Sequence, residues 1–159
     1  MTTRLGLTLT AILGLASLMA PAPVAAQDAA GVTGAAEAAF PNGAAFNGVS
    51  LKGLTLGQGM YIAQDGSATG QFQAVLLGTS PLGTPQNVTV EGEVGGGSVA
   101  ADGSATFSGT ATVDMGDGTL PLPGVPFTVT ASAGGSLGLI LNAVALPTAT
   151  VTAGSITIK

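Results

Sequence analysis

The chain has 159 residues, a net charge of −5, no cysteine, no histidine and no tryptophan, and only 7% of its residues are charged, against roughly 25% in an average globular domain. Its acidic balance argues against nucleic acid and anionic membrane as partners, because binding to phosphates needs clustered Lys and Arg. Without histidine or cysteine the usual general base, the thiolate nucleophile, a Ser-His-Asp site and most transition-metal ligands are excluded, and no cofactor is implied.

Residues 1–26 have the three-part build of a secretion signal: one positive charge at Arg4, an apolar run from Leu5 to Ala20, then small residues and prolines. Val24-Ala25-Ala26 fits the small-residue cleavage pattern and makes Gln27 the first mature residue, whereas a cut after Ala22 would be followed by Pro23. Gly6, Thr8, Thr10, Gly14 and Ser17 interrupt the apolar run, which is shorter than the roughly 20 residues a membrane span needs. The expectation is an exported protein, periplasmic, cell-surface or secreted, with no lipid tether and no membrane insertion of the mature chain. Cleavage removes Arg4 and leaves Lys52 and Lys159 against Asp28, Glu37, Asp65, Glu91, Glu93, Asp102, Asp114 and Asp117. What remains is one domain of ordinary size that must stand on packing without disulfides.

Residues 27–44 are rich in Ala and Gly and read as a flexible leader, or as a short helix around Thr33 to Phe40 ended by Pro41-Asn42-Gly43. The folded domain is therefore expected over residues 45–159. Val49 and Leu51 sit at odd positions before Gly53, while Leu54 and Leu56 sit at even ones, and the same phase change recurs around Gly154, from Val151 and Ala153 to Ile156 and Ile158. A β-bulge at each glycine would restore one buried face. Gly57-Gln58-Gly59 begins like a dinucleotide loop but lacks the third glycine and the βα context, so it reads as a glycine-rich strand.

Further along, period-2 alternation marks strands. Phe72, Ala74 and Leu76 share a face over Ala68 to Leu77, with Val75 and Leu77 predicting cover on both sides at its far end. Val88, Val90 and Val94 alternate with Thr89, Glu91 and Glu93. Between Ser104 and Met115, Ala105, Phe107, Gly109, Ala111 and Val113 oppose Thr106, Ser108, Thr110 and Thr112, and Phe127, Val129 and Ala131 oppose Thr128, Thr130 and Ser132. Ser136 to Asn142 is apolar on both faces and reads as a central strand. Asp65-Gly66, Gly95-Gly96-Gly97, Asp102-Gly103, Asp117-Gly118 and Gly134-Gly135 are expected turns, since such pairs accept positive φ. Residues 62–69 match 99–106 at an offset of 37, which reads either as duplication or as convergence of a simple β composition.

The fold class predicted is all-β: a single antiparallel domain of about eight strands, a β-sandwich or alternatively a small closed β-barrel. Six aromatics after residue 26, one of them tyrosine, cannot form the two girdles of an outer-membrane barrel.

Chemistry-bearing candidates are few. Glu91 and Glu93, two residues apart on one strand, project from one face roughly 7 Å apart; that spacing suits glycoside hydrolysis, but two carboxylates on one strand ordinarily face solvent. Asp114-Met115-Gly116-Asp117-Gly118 offers Asp114 and Asp117 as the weak candidates for a calcium site, in a loop that departs from the helix-loop-helix ligand pattern and lacks its final Glu. Ser50 and Lys52 share a face without a nucleophile turn. Repeated Thr-x-Thr pairs lack the short regular repeat that would stack them. The expected role is a non-catalytic exported domain that binds or assembles, with a carboxylate-based or calcium-assisted hydrolase as the alternative. No charge occurs between Gly118 and Ile158, which marks segment 118–158 for self-association or a protein partner.

Overall fold

The computed structural model describes residues 29–159, so the expected secretion signal and cleavage site lie outside the described residues. Ten strands follow in order: β1 (Ala30–Ala39), β2 (Ala45–Phe46), β3 (Val49–Ile62), β4 (Ser67–Thr79), β5 (Val88–Val99), β6 (Ser104–Asp114), β7 (Leu122–Ser132), β8 (Ser136–Leu141), β9 (Val144–Ala145) and β10 (Ala149–Ile158). No helix occurs among the described residues. All strands belong to one antiparallel sheet in which consecutive long strands pair, and β1 pairs with both β3 and β10. The hydrogen-bonded path therefore returns on itself. It does so unevenly, because β10 meets β8 at only two residue pairs, Ala149 with Leu137 and Thr150 with Ser136. The molecule is a sandwich-like all-β domain around one core, not a regular barrel.

The largest departure from the sequence reading is β1. Residues 30–39 are neither leader nor helix but a strand paired on both sides, with β3 from Ala30 to Ala39 and with β10 from Val32 to Ala39. Alanine favours helix locally. Here Ala30, Val32, Ala36 and Ala38 alternate into the core, and Val32 is fully buried. At Gly34 a β-carbon would meet the Ser155 carbonyl oxygen at 2.9 Å. Two ready ladders outweigh the local preference, and the domain begins by residue 30, not 45.

Inward residues of the remaining strands fill one apolar interior. Phe72 stacks on Phe127 with ring centroids 5.5 Å apart, and Phe107 lies 5.8 Å from Phe72 and 6.5 Å from Phe127. Phe127 is admitted by two glycines: a β-carbon at Gly92 would stand 2.6 Å from its ring, and one at Gly109 3.1 Å.

Both sequence-predicted bulges exist. The β3–β4 ladder slips between Leu51 and Gly53, leaving Lys52 as the extra residue, and the β1–β10 ladder slips opposite Glu37 and Ala38, leaving Thr152 extra, two residues before Gly154. Three other expectations fail. Gly95, Gly96 and Gly97 lie inside β5, where the ladder to β6 slips between Val94 and Gly96, and the turn comes at 100–103. Leu77 and Ile140 are exposed, at 39% and 41%. Neither the end of β4 nor β8 is covered on both faces, because a single closed sheet has no second layer outside it.

The tight turns are built alike. In one, Asp65 Oδ1 accepts from the Ser67 amide at 2.9 Å and its hydroxyl at 2.6 Å; in another, Asp102 Oδ1 accepts from the Ser104 amide at 2.9 Å and its hydroxyl at 2.7 Å. Gly66 and Gly103 take φ of 84° and 79°. Asp117 binds Thr119 in the same manner. These side-chain and backbone hydrogen bonds hold all three carboxyls below the ordinary aspartate range. A depressed folded-state pKa stabilises above the unfolded value and is lost as pH falls through the folded one. Chemical denaturation followed from pH 7 to 2 should therefore show stability falling through the acid range. The Asp65→Asn, Asp102→Asn, Asp117→Asn triple variant should lose part of that dependence.

Candidate functional site

The best-formed concavity lies on the outer face of β4, β5 and β6. Strand alternation sends Phe72, Val90, Ala111 and Val113 inward and so must send Gln71, Gln73, Glu91, Glu93, Thr110 and Thr112 outward, all of them exposed. Register aligns them in two rows: Gln71, Glu93 and Thr110 cross the three strands in one, and Gln73, Glu91 and Thr112 in the next. They line a furrow of about 360 Å³. Its far wall is Gly124 on β7, where the ladder to β6 slips between Ala111 and Val113 and Gly124 takes a positive φ of 73°. On the β3 side the outer positions are Gly57 and Gly59, where a β-carbon would meet nothing within 4 Å, so the approach is open.

Among the described residues no cation lines this furrow. Lys52 sits elsewhere, in a shallow depression with Glu37 and Thr152, and Lys159 follows the end of β10. The two carboxylates are thus flanked only by amides and hydroxyls, an acceptor-rich surface that favours a ligand bearing positive charge or several N–H donors.

The other sequence candidates do not converge. Asp114 accepts from the Gly116 amide at 2.8 Å and Asp117 from Thr119, so one oxygen of each is engaged in its own loop. Among the described residues no group of three or more acidic residues could hold a metal ion. Ser50 and Lys52 are exposed on β3, with the bulge at Lys52 between Leu51 and Gly53. The uncharged segment 118–158 owes most of its apolar character to the interior, since Val125, Phe127, Val129, Leu137, Leu139, Leu141 and Ile156 are buried. Leu120, Leu122, Ile140 and Val144 remain outside it.

One polar residue departs from this pattern. Gln58 falls on the inward face of β3 between Leu56 and Met60, is 8% exposed, and neither side-chain polar atom has a hydrogen-bond partner. Its signal in the sequence is a glutamine in the phase set by Leu54, Leu56, Met60 and Ile62. No helix among the described residues is long and apolar enough to cross a membrane. Compared with known proteins, the chain matches no family profile, no curated protein and no solved structure.

Proposed function

We propose that this chain is an exported, non-catalytic β-domain that acts by binding or assembly at or outside the cell envelope. The signal pattern of residues 1–26 supports export, and a chain without histidine or cysteine lacks the common nucleophile and base pairs. The observation that carries the binding reading is the furrow holding Glu91 and Glu93 with Gln71, Gln73, Thr110 and Thr112 and no cation among them. Its ligand is a donor-rich cationic one, such as a lysine-bearing peptide or a polyamine. Assembly, through a protein partner or a second copy, falls to the uncharged segment 118–158. The matched turns at Asp65–Ser67 and Asp102–Ser104 support duplication of one strand-turn-strand unit within the domain.

Calorimetric titration with a lysine-rich peptide and with spermidine tests the furrow. Binding should weaken as salt rises, and the Glu91→Gln, Glu93→Gln double variant should weaken it about tenfold or more, the equivalent of about 1.4 kcal/mol. Unchanged affinity in the variant would remove the furrow as the site. No binding of either probe would remove the ligand class.

A further inference from the structure

Four asparagines occur in the chain, and one of them, Asn87, is followed at the second position by a hydroxyl residue, in Asn87-Val88-Thr89. Asn42, Asn47 and Asn142 have Ala44, Val49 and Val144 at that position. Asn-x-Ser/Thr with any residue but proline in the middle is the acceptor pattern for N-linked glycosylation of exported chains. In a chain rich in Thr and Ser the pattern alone is a weak signal, so the placement of these residues decides.

Asn87 closes the loop between β4 and β5, and β5 begins at Val88. Val88 is fully buried, so strand alternation turns its neighbours Asn87 and Thr89 outward. Asn87 is exposed and Thr89 half-buried. The backbone around them is pinned. The Gln86 amide donates to the Gly78 carbonyl at 3.0 Å, Gln86 Nε2 donates to the Met115 carbonyl at 2.9 Å, and Gly116, which has no side chain to intervene, lies against the Asn87 carbonyl. The Gly78 amide donates to Asn87 Oδ1 at 3.3 Å. That bond engages the oxygen and leaves Nδ2, the atom to which a glycan is attached, without a partner among the described residues. A substituent on Nδ2 therefore breaks no hydrogen bond of the fold.

We propose that Asn87 is an N-glycosylation site, with Thr89 as the residue that marks it for transfer. The proposal rests on the export reading, because the modification is made on chains that leave the cytoplasm. In the step, Asn87 Nδ2 attacks the anomeric carbon of an oligosaccharide carried on a lipid diphosphate. The bond from Nδ2 to that carbon forms, the bond from the carbon to the phosphate oxygen breaks, the lipid diphosphate departs and Nδ2 gives up one proton to water. The product adds a bulky, hydrated group to a chain in which only 7% of residues are charged. It stands at the base of the loop that carries Leu82, which is 91% exposed. Asn87 is not among the residues lining the furrow of Glu91 and Glu93, so the two sites are tested independently.

Peptide mapping by mass spectrometry, on the protein recovered from outside the cells that make it, gives the test. The peptide holding Asn87 should carry an oligosaccharide mass, and release by an N-glycan amidase in heavy-oxygen water should leave a labelled carboxylate at position 87. Asn87→Gln and Thr89→Ala should each abolish the modification, and Thr89→Ser, which keeps the hydroxyl, should retain it. After enzymatic release the wild-type chain should precipitate at a several-fold lower concentration than before; equal solubility would remove the hydrating role. An exported chain with a bare Asn87 would overturn the proposal, and so would a glycan that survives Asn87→Gln. A chain that never leaves the cell removes the export reading instead. Residues 1–26 are then replaced by a leader that the same cells export, and in that product a modified Asn87 keeps the site while a bare one removes it.

Discussion

Phe72→Ala should cost the domain about 3–5 kcal/mol, a large part of the roughly 5–15 kcal/mol that holds a domain folded. Phe72 is fully buried and lies against the rings of Phe107 and Phe127, at centroid distances of 5.8 and 5.5 Å. Large-to-small losses grow when the surroundings cannot collapse into the space. Here the position across from Phe72 on β5 is Gly92, which has no side chain to move inward. The Phe127 ring already lies against Gly92 and Gly109. The upper half of the range is therefore expected. Urea denaturation measures it: the midpoint should fall steeply with little change in slope. A loss below about 1 kcal/mol, well short of the range for such truncations, would show that the aromatic cluster is not the packing centre.

Gln58→Met should act in the opposite direction, adding about 1–3 kcal/mol, the usual penalty for a buried polar group left without a hydrogen bond. Gln58 stands between Gly34 of β1 and Phe72 of β4 in the ladder, points into the apolar interior, and leaves its Nε2 and Oε1 unpaired. Methionine matches its length, is unbranched and adapts to irregular space, so the exchange removes the polar penalty without opening a cavity. Thermal and urea unfolding should both shift upward. Unchanged or lowered stability would mean that the amide is hydrogen-bonded in solution. Gln58→Ala separates the two effects, since it removes the same polar atoms but adds a cavity and should gain less than methionine.

Glycine carried two different meanings in this sequence, and only one could be read locally. At Gly53 and Gly154 the apolar phase changes from odd to even, so the need for a bulge is visible in the one-dimensional pattern, and the ladders slip at Lys52 and Thr152. Gly95-Gly96-Gly97 looks like the other turn pairs, yet it lies within β5. A β-carbon at Gly97 would come 3.0 Å from both the Ile62 side chain and the Thr106 carbonyl oxygen, so close approach to β3 and β6, not turning, explains that glycine. No pattern along the chain reports such a distance.

The sequence by itself determined the all-β class, the inward set around Phe72, Phe107 and Phe127, the Asp-Gly turns and the outward placement of Glu91 and Glu93, because alternation and turn chemistry act between near neighbours. It also determined which chemistry is missing, because composition does not depend on fold. Only the tertiary structure decided that the Ala-rich residues 30–39 form a strand, since their ladders come from β3 and β10, distant in sequence. The same long-range closure gathered Gln71, Gln73, Thr110 and Thr112 around the two glutamates. Among the described residues it also left β10 without a second ladder beyond Val151, because β8 is too short to reach the rest of it.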